Sequence, residues 1–202
     1  MKNIVKFSLF FLILLIILAA CFAPCELQDP YNVFHVNNVR DNGIEPNKNF
    51  IKMAYIKSNP KKFDAFMFGS SLTGMVNAQN IQDTNCYNMS HSGGLATESC
   101  ENIKTLIDSG IIPKEIFLGL EPISFSDSIE NRRKDRMRCP YEYSESNPFD
   151  FWSLYLSPKM NIEASRIIRE YEPMNSEYQA INKDVFYNNG GYPFYGYTWN
   201  YD

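Results

Sequence analysis

Histidine is nearly missing from this 202-residue chain: His35 and His91 are the only two. Cysteine is sparse as well, and Cys21, Cys25, Cys86, Cys100 and Cys139 show none of the paired spacings of a zinc site. These shortages argue against a bound metal, and nothing in the sequence asks for a cofactor. Positive charge is not in excess. With 19 Lys and Arg against 23 Asp and Glu the net charge is −4, so no overall basic field recruits nucleic acid. The last absence is local. Residues 7–25 contain no charged side chain at all.

That gap reads as a membrane segment. Nineteen residues in helical form extend about 28 Å, just enough to cross a bilayer. Lys2 and Lys6 precede the run and Glu26 and Asp29 follow it, which orients the N-terminus inside and the bulk of the chain outside the cytoplasm. A buried core helix is excluded because no polar face exists at helical spacing. Two readings remain. One is an uncleaved signal anchor. The other is a lipoprotein signal, because Leu18-Ala19-Ala20-Cys21 resembles the bacterial lipobox. Both tether the protein at the outer side of the membrane.

The remainder, about 177 residues, is enough for one core but not comfortably two domains. The chain divides into residues 1–25 (anchor or signal), 26–62 (linker and short helix) and 63–202 (an α/β domain). A helix over residues 49–58 turns Phe50, Met53, Ala54 and Tyr55 inward and stops before Pro60. Strands are expected at 65–68, 86–90 and 115–121. Between the last two, the pattern predicts a helix over 95–108 with Leu95, Ile103, Leu106 and Ile107 inward, Glu98, Glu101, Lys104 and Asp108 outward, and Gly110 as its stop. Ser157-Pro158 opens a further helix through Glu170. Apolar strands interleaved with helices indicate a parallel sheet. An oxidising compartment would allow a disulfide among Cys86, Cys100 and Cys139, with the pair left open.

The richest stretch is Phe63-Asp64-Ala65-Phe66-Met67-Phe68-Gly69-Ser70-Ser71-Leu72-Thr73-Gly74. A short apolar strand meets a Gly-Ser-Ser turn and then a segment able to begin a helix. That arrangement delivers a small hydroxyl residue to the carboxyl edge of a sheet, where open α/β folds place their sites. A serine there lies among unpaired N–H groups that favour developing negative charge. It can be an acyl-enzyme nucleophile or a helix N-cap. Two other features have paired readings. Arg132, Arg133, Lys134, Arg136 and Arg138 form a solvated face or a contact surface for an anionic envelope polymer or lipid headgroups. The aromatic, glycine-bearing stretch 186–201 packs a loop or stacks on sugar rings.

Gly69-Ser70-Ser71-Leu72 is similar to the first block of the SGNH, or GDSL-type, hydrolase superfamily, with serine in place of its aspartate. Asn88-Met89-Ser90-His91-Ser92-Gly93-Gly94 and Phe117-Leu118-Gly119-Leu120-Glu121 follow in the order and spacing of its second and third blocks. From about residue 29 to 200 the chain resembles membrane-anchored bacterial members: the D-alanine transfer proteins of teichoic acid and proteins that acetylate exopolysaccharides. The resemblance implies a three-layer, flavodoxin-like parallel sheet, an acyl esterase or acyltransferase lineage acting on envelope polymers, and a possible membrane acyltransferase partner. It implies Ser71 as nucleophile, with its own N–H and that of Gly93 or Gly94 as oxyanion donors.

Two departures qualify that picture. The third block ends in Gly119-Leu120-Glu121-Pro122, without the family's asparagine. The family's Asp-x-x-His, which supplies base and orienting carboxylate, occurs nowhere in the chain. His91 is then either an unconventional base or a loop histidine satisfied by its neighbours. The sequence is therefore expected to be a shortened member with an incomplete sheet, either of the acyl-transfer lineage or a non-catalytic envelope protein that keeps the binding edge. Ser71 is expected to face the cleft while Ser70 serves the turn, and activity on small esters is expected to be slight.

Overall fold

The computed structural model describes residues 2–126 and 129–191. It begins with one long helix, α1 (Lys2–Gln28). Within α1, Ile4–Gln28 is long and apolar enough to cross a membrane, with a mean hydropathy of 2.8 over its most apolar 18 residues. None of its most apolar window is buried against the rest of the protein. Towards the C-terminal end the helix changes character. Cys25 is buried, and Gln28 exchanges hydrogen bonds with the Ser165 hydroxyl at 2.8 and 3.0 Å. The next residue fixes the turn out of the helix: the buried Asp29 carboxylate accepts the N–H groups of Val33, Phe34 and His35 and meets His35 Nδ1 at 3.0 Å. Residues 29–47 form loop and a short 3₁₀ turn, yet Asn32, Val33, Val39 and Asn47 within them are buried.

The domain then runs α2 (Lys48–Ser58), β1 (Ala65–Phe68), a single helical turn α3 (Ser71–Gly74), β2 (Cys86–Asn88), α4 (Ala96–Asp108) and β3 (Glu115–Leu118). It continues with α5 (Ile129–Arg133), α6 (Tyr141–Ser146), α7 (Pro148–Tyr155), α8 (Pro158–Glu170) and α9 (Ser176–Asn189). The three strands form one parallel sheet in the order β2-β1-β3, with Ala65 level with Cys86 and Glu115. All four residues of β1 are buried, as a strand flanked on both sides and covered on both faces must be. Phe66, Phe68 and Tyr87 pack on Met53, Tyr55 and Ile56 of α2 and on Leu106 of α4. On the other face Ala65, Met67 and Cys86 pack on Ala78. A second cluster joins Phe50 and Ile51 of α2 to Val33, Val39, Phe151 and Tyr155. The fold is thus mixed α/β with a small parallel sheet behind an apolar helix.

Several side chains depart from the sequence reading. Glu98 is buried rather than outward, while Ile107 is exposed. Lys48 and Lys52, one turn apart on the face of α2 that also holds Tyr55 and given no side by the sequence reading, are buried as well. Tertiary partners turn them in, as the site shows. Cys21, Cys25, Cys86, Cys100 and Cys139 are all free thiols. Of the aromatic stretch, residues 192–201 lie outside the described residues.

Candidate functional site

Three glycines mark where the strands end. Gly119 N–H donates to Phe68 O at 2.8 Å and His91 N–H to Gly69 O at 3.3 Å, so the sheet's bonding extends one step past each strand. Side chains would not fit here. A Cβ on Gly94 would fall on the Gly69 carbonyl oxygen, and one on Gly69 or Gly119 would fall on the Thr73 hydroxyl. The backbones after β1, β2 and β3 are in this way drawn into one edge, and the Gly-Ser-Ser turn sits at its centre.

Ser70 and Ser71 face different surroundings. Ser70 stands at the N-cap position of α3 with extended backbone, but its side chain makes no capping bond. Its hydroxyl instead donates to Glu121 Oε2 at 2.5 Å, and the residue is 1% exposed. Glu121 is held in turn by its N–H on the Ser124 hydroxyl. Ser71, the first residue of α3, is exposed. First-turn N–H groups of a helix have no partner within it, so the N–H of Ser71 belongs to the unpaired set. Glu121 is the residue that sequence reasoning passed over. It was noticed only as the wrong residue for the family's asparagine, whereas its carboxylate is what ties the end of β3 to the serine turn.

The loop after β2 carries the charged part of the site. His91 Nε2 lies 3.2 Å from Glu98 Oε2, and the same oxygen accepts from Arg138 Nη2 at 2.9 Å and from Leu95 N–H at 2.8 Å. All three side chains are buried. Burial alone would push the Glu98 carboxyl up; the His91 hydrogen bond and the His91 and Arg138 charges outweigh it and hold the group at about 2. Arg138 also donates to Gly93 O. Gly94 N–H closes the turn on His91 O at 3.0 Å. Gly93 adopts a positive φ of 59°, a conformation that favours glycine, and its N–H makes no hydrogen bond among the described residues. His91 Nδ1 has no hydrogen-bond partner either, and no bond joins His91 to Ser70 or Ser71 among the described residues.

Beneath this loop lies Lys52. Its Nζ donates to Asn88 O at 3.0 Å, Ser90 O at 2.6 Å and Gly190 O at 2.7 Å, binding α2, the end of β2 and the end of α9 together. Beside it Lys48 pairs with Glu45 at 3.0 Å, and the Ser92 hydroxyl donates to the same Glu45 oxygen. Burial lowers the Lys48 ammonium to about 8 despite the Glu45 charge that raises it.

The basic cluster is partly turned inward. Arg138 is committed to Glu98, Arg133 approaches Glu101 and Glu142 at 3.4 and 3.7 Å, and Arg136 donates to Leu154 O. No group of three His, Cys, Asp or Glu side chains among the described residues is placed to hold a metal ion. The structure therefore brings Ser71, Gly93 and Gly94 to one edge and adds Ser70 and Glu121 to it. No family model matches this chain, and neither a curated protein nor a solved structure is detectably similar to it.

Proposed function

We propose that the protein is a membrane-tethered, extracytoplasmic member of an acyl esterase or acyltransferase lineage of SGNH type, with envelope polymers as its substrate class and Ser71 as the residue that carries the acyl group. The reading rests on one observation above the rest. The Ser70-Ser71 turn stands at the carboxyl end of the central strand of a parallel sheet, with the loops after both neighbouring strands closed on it through glycine. Such an edge presents N–H groups where an oxyanion would develop. In the step proposed, Ser71 Oγ attacks an acyl carbonyl, the acyl–oxygen bond to the leaving alcohol breaks, and the serine proton passes through solvent water to that alcohol's oxygen. A membrane acyltransferase is the partner that would supply such an acyl group.

A second reading has its own support. Ser71 has no base within hydrogen-bond reach among the described residues, which suits a protein that binds at this edge without reacting. Labelling of the full chain in native membranes by a fluorophosphonate separates the two. Without base assistance, attack is slower by about 10²–10⁴, so labelling is expected to be slow. It is expected to vanish in Ser71→Ala and to persist in His91→Ala. Equal labelling of wild type and Ser71→Ala would remove the nucleophile assignment, and no labelling of either would favour the binding protein. Placement is checked separately: protease added to intact cells should digest the part after Tyr31, and full protection beside a digested exported control would refute the outward orientation.

A further inference from the structure

Where α1 leaves the domain, α8 lies across it. At its middle, Ser165 bonds Gln28. The residues flanking α8 are held to the loop that follows the exit. Tyr155 packs edge-on against Tyr31, with ring centres 6.0 Å apart, and the Tyr171 hydroxyl donates to Asp41 at 2.8 Å. A helix fixed in this way at its middle and both ends cannot run far along α1 in either direction. Burial agrees: Cys25 is buried, whereas Cys21, one turn nearer the N-terminus, is exposed.

On the reading that α1 spans a bilayer, this sets the depth of α8. The uncharged run ends at Cys25, which marks the edge of the hydrocarbon. Headgroups occupy about 5–8 Å beyond that edge, and Gln28 lies about 4.5 Å along the helix from Cys25. The Gln28–Ser165 bond therefore falls in the headgroup layer. So does α8, which is about 10 Å across. Its outer face has the chemistry of that layer. Lys159, Ile162, Arg166 and Arg169 are exposed and share an arc of about 80° at 100° per residue, opposite the buried Met160 and Ala164. Glu163 and Glu170 fall outside the arc. Ile162 is 73% exposed, and the guanidinium groups of Arg166 and Arg169 make no ion pair among the described residues. A further cation stands at the exit itself, where Arg40 Nη1 donates to Leu27 O at 2.7 Å.

We propose that α8 is a lipid-contacting helix whose basic arc binds the phosphates of anionic phospholipids around α1, with Ile162 seated between their headgroups. Guanidinium groups pair well with phosphate oxygens. Long basic side chains lay their stems on apolar surface while the charged head stays at the interface. The span already holds α8 at the bilayer, so each contact needs little affinity of its own.

The test places a benzophenone amino acid at Ile162 of the full chain, reconstituted in phosphatidylcholine vesicles with or without phosphatidylglycerol. The same probe at Leu14 reports on the span. Irradiation is expected to cross-link lipid at both sites, and phosphatidylglycerol is expected to raise the yield at Ile162 by about threefold or more. Arg166→Glu combined with Arg169→Glu should abolish that rise. It should leave the Leu14 cross-link and the melting transition in place, because both arginines are exposed. No lipid at Leu14 would refute the membrane span on which the placement rests. Lipid at Leu14 but none at Ile162 would overturn the proposal alone. A yield at Ile162 that ignores both phosphatidylglycerol and the arginine changes would also overturn it, since α8 would then touch lipid without reading its charge.

Discussion

Replacing Lys52 by methionine is expected to cost the domain about 3–9 kcal/mol, comparable to the whole stability of a typical single domain. The side chain's volume is nearly retained, so the effect isolates the ammonium. Three carbonyl oxygens, those of Asn88, Ser90 and Gly190, converge on one Nζ. Three acceptors need three N–H donors, and the ammonium form supplies them. With methionine in place the carbonyls stay buried and lose that donor, at about 1–3 kcal/mol each. The loss also releases the end of α9 from the sheet. Chemical denaturation of the full chain in detergent should show the midpoint collapsing, or the variant should fail to fold. A Lys52→Met protein that unfolds where the wild type does would show that the three carbonyls find other donors.

The second large effect depends on acid. Glu98 is held at about 2 against an ordinary 4.5. A carboxyl with a depressed folded-state pKa contributes stability that is complete above its unfolded value and drains away as pH falls through the folded one. The window is therefore pH 4.5 down to 2, and the contribution is about 3 kcal/mol at 1.36 kcal/mol per unit. Glu98→Gln should lower stability at neutral pH by about that amount, since it leaves Arg138 and His91 buried without their counter-charge. It should also flatten the acid limb of the stability profile between pH 4.5 and 2. An acid limb equally steep in both proteins would place the sensitive carboxylate elsewhere.

How much of this was legible beforehand varies by the kind of signal. β1 is found where the apolar run Ala65–Phe68 put it, because a central parallel strand is written as an unbroken apolar stretch. α8 opens at Ser157-Pro158 as expected, with the Ser157 hydroxyl capping Met160 N–H. Pairing order was less accessible, since nothing local to β2 or β3 states that β1 lies between them. The charged interior was not legible at all. Glu98, Lys48 and Lys52 occupy positions that a charge-out rule sends to solvent. Two of them are brought in by groups distant in sequence: Glu98 by Arg138, and Lys52 by backbone carbonyls at the ends of β2 and α9. Glu121 was missed for a related reason. Its partner is Ser70, fifty-one residues earlier, and its meaning appears only once Gly119 is seen bonded to Phe68.

The way α1 enters the domain has a mechanical consequence. A chain tethered through a flexible linker behaves like a weight on a string and samples every height and angle the string allows. Here the helix carries on to Gln28, is held to α8 by the Gln28–Ser165 bonds, and is followed at once by the Asp29 cage that fixes its exit. The result is closer to a lollipop than to a leash. Tilting the stick tilts the head by the same angle, and the serine turn stays at one distance from the stick's end.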